Sequence, residues 1–88
     1  MATIKEVTSF QDIKVKIVTS FPDLQVFVTK NKNEAKGKDE IWYFDTSSSV
    51  DQKIKFVTSF EDLKIEYVKN KSQAGWKNKS HKLQNRLG

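Results

Sequence analysis

Val18-Thr19-Ser20-Phe21-Pro22-Asp23-Leu24 returns 39 residues later as Val57-Thr58-Ser59-Phe60-Glu61-Asp62-Leu63. The same offset pairs Asp12 with Asp51, Lys14 with Lys53, Lys16 with Lys55, Lys30-Asn31-Lys32 with Lys69-Asn70-Lys71 and Ala35 with Ala74. Between residues 7–35 and 46–74, 14 of 29 positions are identical. Agreement that dense is a tandem duplication, and repeats are read first because missing one misassigns the fold. A shorter period of 11 runs inside the first half, where Val7-Thr8-Ser9-Phe10-Gln11-Asp12 precedes Val18-Thr19-Ser20-Phe21-Pro22-Asp23.

Each unit is a turn followed by an apolar alternation. Ile13, Val15 and Ile17 alternate with Lys14 and Lys16, and Leu24, Val26 and Val28 follow the same rule. Ile54 and Phe56, then Leu63, Ile65 and Tyr67, repeat it in the second half. A period of two in β-branched and aromatic residues is the mark of a half-buried strand. The pattern predicts Ile13, Val15, Ile17, Val26, Ile54, Phe56, Leu63 and Ile65 buried, with Lys14, Lys16, Lys53, Lys55 and Lys64 exposed. The recurring Asp12, Asp23, Asp51 and Asp62 are expected to close local turns by accepting an N–H two residues on. A metal or acid–base site is the alternative for these four. The recurring Phe10, Phe21 and Phe60 are expected to cover the turns as core anchors, with a ligand box as the alternative.

Between the halves lies the unrepeated block 36–45, ending Ile41-Trp42-Tyr43-Phe44-Asp45. Its glycine and charges read as a loop, and Ile41 to Phe44 as a central strand apolar on both faces. An exposed aromatic platform for stacking bases is the other reading of the same residues.

The chain has 88 residues, enough for one domain. Such a domain buries roughly 60–65% of its unfolded surface, so the core is thin. There is no cysteine, which removes disulfides and thiolate metal sites. No signal-like or membrane-spanning apolar run occurs, so a cytoplasmic monomer without a membrane partner is expected. The formal charge is +5. Lys77, Lys79, Lys82 and Arg86 place +4 of it after residue 76, where no acid occurs. Residues 1–79 are read as one β-repeat domain, with halves 7–35 and 46–74, and 80–88 as a basic, flexible tail.

Taken together, these segments are similar to the small bacterial septoil-knot proteins, a family of unknown function. The likeness is carried by the repeats, by Gly37-Lys38-Asp39-Glu40-Ile41-Trp42-Tyr43-Phe44, and by Lys69-Asn70-Lys71-Ser72-Gln73-Ala74-Gly75-Trp76-Lys77-Asn78-Lys79. It spans about residues 7–79. The turns depart from the family's frequent Ala-Asp pair by reading Phe-x-Asp. The duplication predicts a small, mainly β single domain of turn–strand repeats with pseudo-twofold halves, and the resemblance implies that its backbone is deeply knotted as a seven-crossing torus knot. It supplies no active site.

The residues themselves offer little chemistry. The lone histidine, His81, lies in the basic tail, and the paired acids Asp39-Glu40 and Glu61-Asp62 diverge when extended. Gly37, Gly75 and Gly88 form no phosphate-cradling loop. No catalytic, cofactor or metal residue is expected. The expected function is a non-catalytic, stable domain with a structural or protein-interaction role. The alternative is a weak, nonspecific contact with nucleic acid or an anionic surface through Lys30, Lys32, Lys69, Lys71, Lys77, Lys79, Lys82 and Arg86. Against that stands edge protection, in which lysines keep strand ends from pairing with other sheets.

Overall fold

Seven strands organise the chain in a computed structural model that describes residues 3–35, 37–47, 50–84 and 86–87. They are β1 Thr3–Glu6, β2 Ile13–Ile17, β3 Leu24–Val28, β4 Ile41–Phe44, β5 Gln52–Phe56, β6 Leu63–Tyr67 and the short β7 Gly75–Trp76. Single 3-10 turns at Lys32–Ala35 and Lys71–Gln73 follow β3 and β6. The lateral order is β4-β1-β5-β2-β6-β3-β7, and a further pairing of β3 with β4 closes the first six into a ring. Within the ring every pairing is parallel; only β7, on β3, is antiparallel.

Parallel strands that follow one another in sequence ordinarily need a crossover of a dozen or more residues. Only the link from β3 to β4, which are neighbours, has that length; the links β1–β2, β2–β3, β4–β5 and β5–β6 are about half as long, and the ring order shows why. In those four pairs the consecutive strands are not neighbours, because a strand from the other half lies between them. Val7 N–H donates to the Ile54 carbonyl (2.8 Å), and Asp12 N–H donates to the Lys53 carbonyl (2.7 Å). Successive carbonyls of one strand point to opposite sides, so the link 7–12 starts on one side of β5 and ends on the other. The link 18–23 straddles β6 in the same way, through Val18 to Ile65 and Asp23 to Lys64. The link 57–62 straddles β2, through Val57 to Val15 and Asp62 to Lys14. Asp45 and Asp51 bracket β1 by bonding the carbonyls of Ile4 and Thr3. The inside of the ring is filled, so the crossings pass over its outer face.

The filling is the alternation the sequence announces. Ile13, Val15, Leu24, Val26, Ile54, Leu63 and Ile65 are buried together with Ile4, Trp42 and Leu87. Phe56, Trp76 and Leu83 pack against them while partly exposed. Ile17 departs from expectation at 49% exposure. It is the last residue of β2, and the trailing residues of β3, β4 and β6 share its fate: Val28, Phe44 and Tyr67 are also exposed. At that end of the ring no further layer covers the inward positions. The lysines depart in the other direction. Lys64 is exposed, but Lys14, Lys16, Lys53 and Lys55 are half-buried. The links that cross β2 and β5 cover their stems while the charged heads reach solvent.

Two further expectations are corrected by the turns. Phe10, Phe21 and Phe60 are not core anchors; they are 92%, 91% and 87% exposed. Each has a left-handed backbone, with φ of 58°, 52° and 58°. A crossing this short must reverse sharply, and the reversal falls on a residue with a Cβ at a cost of about 1–2 kcal/mol. The aspartates are structural, but they do not close local turns. Asp12 Oδ2 accepts the Lys53 N–H (2.9 Å), Asp23 Oδ2 that of Lys64 (2.9 Å) and Asp62 Oδ2 that of Lys14 (2.9 Å). Asp51 Oδ2 accepts from both the N–H and the hydroxyl of Thr3. Each aspartate thus both donates to and accepts from one residue of the neighbouring strand, 41 or 48 positions away. The carboxylate continues the ladder where the chain leaves it.

Residues 80–88, read as a flexible tail apart from the domain, are part of it as far as they are described. Leu87 is 1% exposed within the core, and Leu83 packs beside it. The sequence reading failed because two leucines at a spacing of four carry no strand period, and their partners are distant in sequence.

Candidate functional site

Groups that carry chemistry gather where the strands begin. Asp39, just before β4, is 7% exposed. Its Oδ2 accepts the Trp76 indole N–H (3.0 Å) and its Oδ1 the Leu87 N–H (3.0 Å). Its carbonyl accepts the Trp42 indole N–H (2.8 Å). One residue therefore holds the last strand, the central tryptophan and the C-terminal segment at once. Trp42 is wholly buried and so takes no part in an aromatic platform on β4; Phe44, at the end of the strand, is exposed.

His81 lies close by, stacked on Trp76 with ring centroids 5.4 Å apart and planes at 28°. Its Nδ1 accepts the Leu83 N–H (3.1 Å), which leaves the proton on Nε2, 3.0 Å from the Asp62 carbonyl. The Asp23 carboxylate stands 3.6 Å from the same nitrogen. Gln52 Nε2 donates to the Arg86 carbonyl (3.1 Å). The C-terminal segment thus touches residues at or just before the starts of β3, β4, β5 and β6 and closes that end of the ring. No buried side-chain nitrogen or oxygen among the described residues lacks a hydrogen-bond partner. Among the same residues no group of three or more His, Asp or Glu side chains is placed to hold a metal ion.

The candidate anion contacts fall into two regions. Lys30 and Lys32 follow β3, and Lys69 and Lys71 follow β6, its neighbour in the ring. Lys71 pairs with Glu34 across the two loops, bringing the matching halves together. Lys32 lies 3.9 Å from Asp45. Lys69 and Lys77 line a shallow, open groove with Gln25, Glu66 and Tyr67, and Lys79 lines a second beside Trp76. Lys82 and Arg86 are exposed at the closed end, on the packed segment. Tyr67 is exposed as a whole residue, but partial burial of its side chain pushes the hydroxyl pKa up to about 12, and the nearby Glu6 charge adds to the effect.

Sequence reasoning overlooked two features of this surface. The exposed phenylalanines were signalled by their fixed place three residues before a strand, inside a turn. The lysines of β1, β5, β2 and β6 stand directly opposite one another, which only the interleaved order reveals. Among the described residues no helix is long and apolar enough to cross a membrane.

Residues 1–77 match the family described as the 7(1) septoil knot domain, and the chain belongs to that family. The match covers all seven strands and stops within the segment that closes the ring. No curated protein is detectably similar to this chain.

Proposed function

We propose that this septoil-knot domain is a non-catalytic, cytoplasmic, monomeric module that acts by contact, in a structural or protein-interaction role. The observation that carries the reading is where the reactive groups are spent. Asp12, Asp23, Asp51 and Asp62 hold neighbouring strands through peptide N–H groups. Asp39 anchors Trp76 and Leu87, and both nitrogens of His81 are engaged by backbone. General acid–base work needs a titratable group within reach of a substrate proton, in an arrangement that leaves it free to exchange. Here such groups are fasteners.

A second reading is favoured by the packing of the C-terminal segment. Lys77, Lys79, Lys82 and Arg86 sit on a segment fixed by Leu83 and Leu87, with no acid among residues 77–86. A fixed cluster binds a polyanion without first having to be ordered. Such binding is indifferent to sequence and falls steeply with salt.

The test is recovery of partners from native-cell extract, with and without nuclease treatment. A protein recovered equally from both supports the contact role. Recovery that vanishes with nuclease, or elution from a polyanion matrix at rising salt, transfers the assignment to the second reading.

A further inference from the structure

The crests of three crossing links carry side chains that the fold does not use. Phe10, Phe60 and Phe21 contribute nothing to the core, and each sits in a backbone conformation that disfavours a side chain. Their links straddle β5, β2 and β6, which are consecutive in the ring. The phenylalanines therefore follow one another around the outside in the order Phe10, Phe60, Phe21. Each step moves one strand across, about 5 Å, and a little along the strand.

Beneath the same links the outward strand positions are lysines. Lys53 and Lys55 lie on β5, Lys14 and Lys16 on β2, Lys64 on β6 and Lys5 on β1. Register sets Lys5 opposite Lys53, Lys14 opposite Lys55 and Lys16 opposite Lys64. Like charges directly opposed weaken a sheet. The face also carries acids, and three of them are fixed at the backbone. Asp12, Asp62 and Asp23 are held against the strands by the N–H groups of Lys53, Lys14 and Lys64. Glu66 accepts from Gln25 Nε2 (2.9 Å), and Glu61 is the remaining acid on the three links. Ammonium groups on four-carbon stems extend past carboxylates fixed at the backbone.

We infer that this face docks on an anionic lipid surface. The three rings enter the headgroup boundary, and the lysines meet the negative headgroups around them. The inference builds on the contact reading above and names the partner; it describes a peripheral contact, not a span. Charge decides against a second copy, whose lysine rows would meet lysine rows. Ring geometry decides against single-stranded nucleic acid. A stacking platform packs one face of a ring on protein and offers the other to a base. These rings stand clear on all sides, as a group surrounded by a lipid boundary requires.

The test is sedimentation of the full chain with phosphatidylcholine vesicles, alone or with about one-third phosphatidylserine. Binding is expected only with phosphatidylserine, and it should fade as salt rises from about 0.1 M to about 1 M. The triple change Phe10→Ser, Phe21→Ser and Phe60→Ser should weaken it about 100-fold. The 39-residue offset between the two halves of the sequence matches Phe10 with a serine at position 49. Unchanged or higher melting would show that the variant folds. The quadruple change Lys14→Gln, Lys16→Gln, Lys53→Gln and Lys55→Gln should abolish the preference for phosphatidylserine. Failure to bind either vesicle, or equal binding by the serine variant, overturns the inference. So does phenylalanine-dependent binding of a thymidine oligonucleotide in preference to vesicles. If vesicles fail while nuclease-treated extract still yields a protein partner, the lipid assignment falls and the contact reading stands.

Discussion

At the scale of single residues, the turn Phe-x-Asp divides into one position that strains the fold and one that secures it. Phe60→Gly removes a Cβ from a left-handed position and an exposed ring. Denaturant unfolding should show it neutral to about 1 kcal/mol more stable, the upper end being relief of the left-handed cost. A core anchor would instead cost about 3–5 kcal/mol, so the sign alone settles which role the ring has. Asp62→Ala should cost about 1.5–3 kcal/mol, because it leaves the Lys14 N–H without its charged acceptor. Combining it with Asp12→Ala should be roughly additive, since the two carboxylates hold different strands. The sequence made the aspartates legible as structural but not their partners. An Asx turn and a cross-strand clasp use the same residue at the same place before a strand, and they differ only in what lies alongside.

Among the elements, the alternation in β2, β3, β5 and β6 was legible because each strand is buried on one face only. β1 was not, since Ile4 is the only large apolar side chain in Thr3–Glu6 and Lys5 follows it. The C-terminal segment was the larger miss. Leu87→Ala should destabilise the domain by about 2–4 kcal/mol, measured by denaturant unfolding. Deleting residues 80–88 should cost more, because Asp39 then loses the Leu87 N–H and Trp76 loses His81. An unchanged midpoint after deletion would show that the segment does not close the ring. At the opposite end, Tyr67 gives an optical probe. Its hydroxyl should titrate near pH 12 in absorbance at alkaline pH, and Tyr67→Phe should remove that phase. The raised value also fixes a sign. The unfolded chain loses its proton near pH 10 and the folded one later, so the stability tied to this group is intact below pH 10 and fades as pH climbs toward 12.

For the whole molecule, interleaving is the governing fact. The repeat read in the sequence invites a picture of two compact halves side by side. The pairing order is different. Every strand before residue 40 pairs only with strands after it. No periodicity can show this, because period two reports which face a strand buries and not which strand it joins. Family membership brings a seven-crossing knot, and with it a kinetic expectation. An end must thread before the non-local pairs form, so first folding after synthesis should be slower than β topology alone requires. Denaturant need not untie the chain, and refolding from denaturant should then be faster. Stable domains fused to both ends should widen that gap in a translation-and-refolding comparison. Equal rates with and without the fused domains, in first folding and in refolding alike, would oppose a threading-limited pathway. Unfolding should also be slow, giving persistence to a thin core.

The one-sided pairing across residue 40 also means that the domain is, in effect, a heterodimer whose subunits happen to be joined. Cleavage after Gly37, in an exposed turn, would leave β1–β3 on one fragment and β4–β7 on the other, with every ladder intermolecular. Neither fragment has a sheet of its own to form, so each alone should be unstructured. Mixed, they should assemble at a rate that depends on concentration and regain the strand spectrum. A split pair keeps the contacts and abolishes the single continuous path. Its assembly and dissociation rates, set beside those of the intact chain, would measure what the joining peptide adds beyond the contacts themselves.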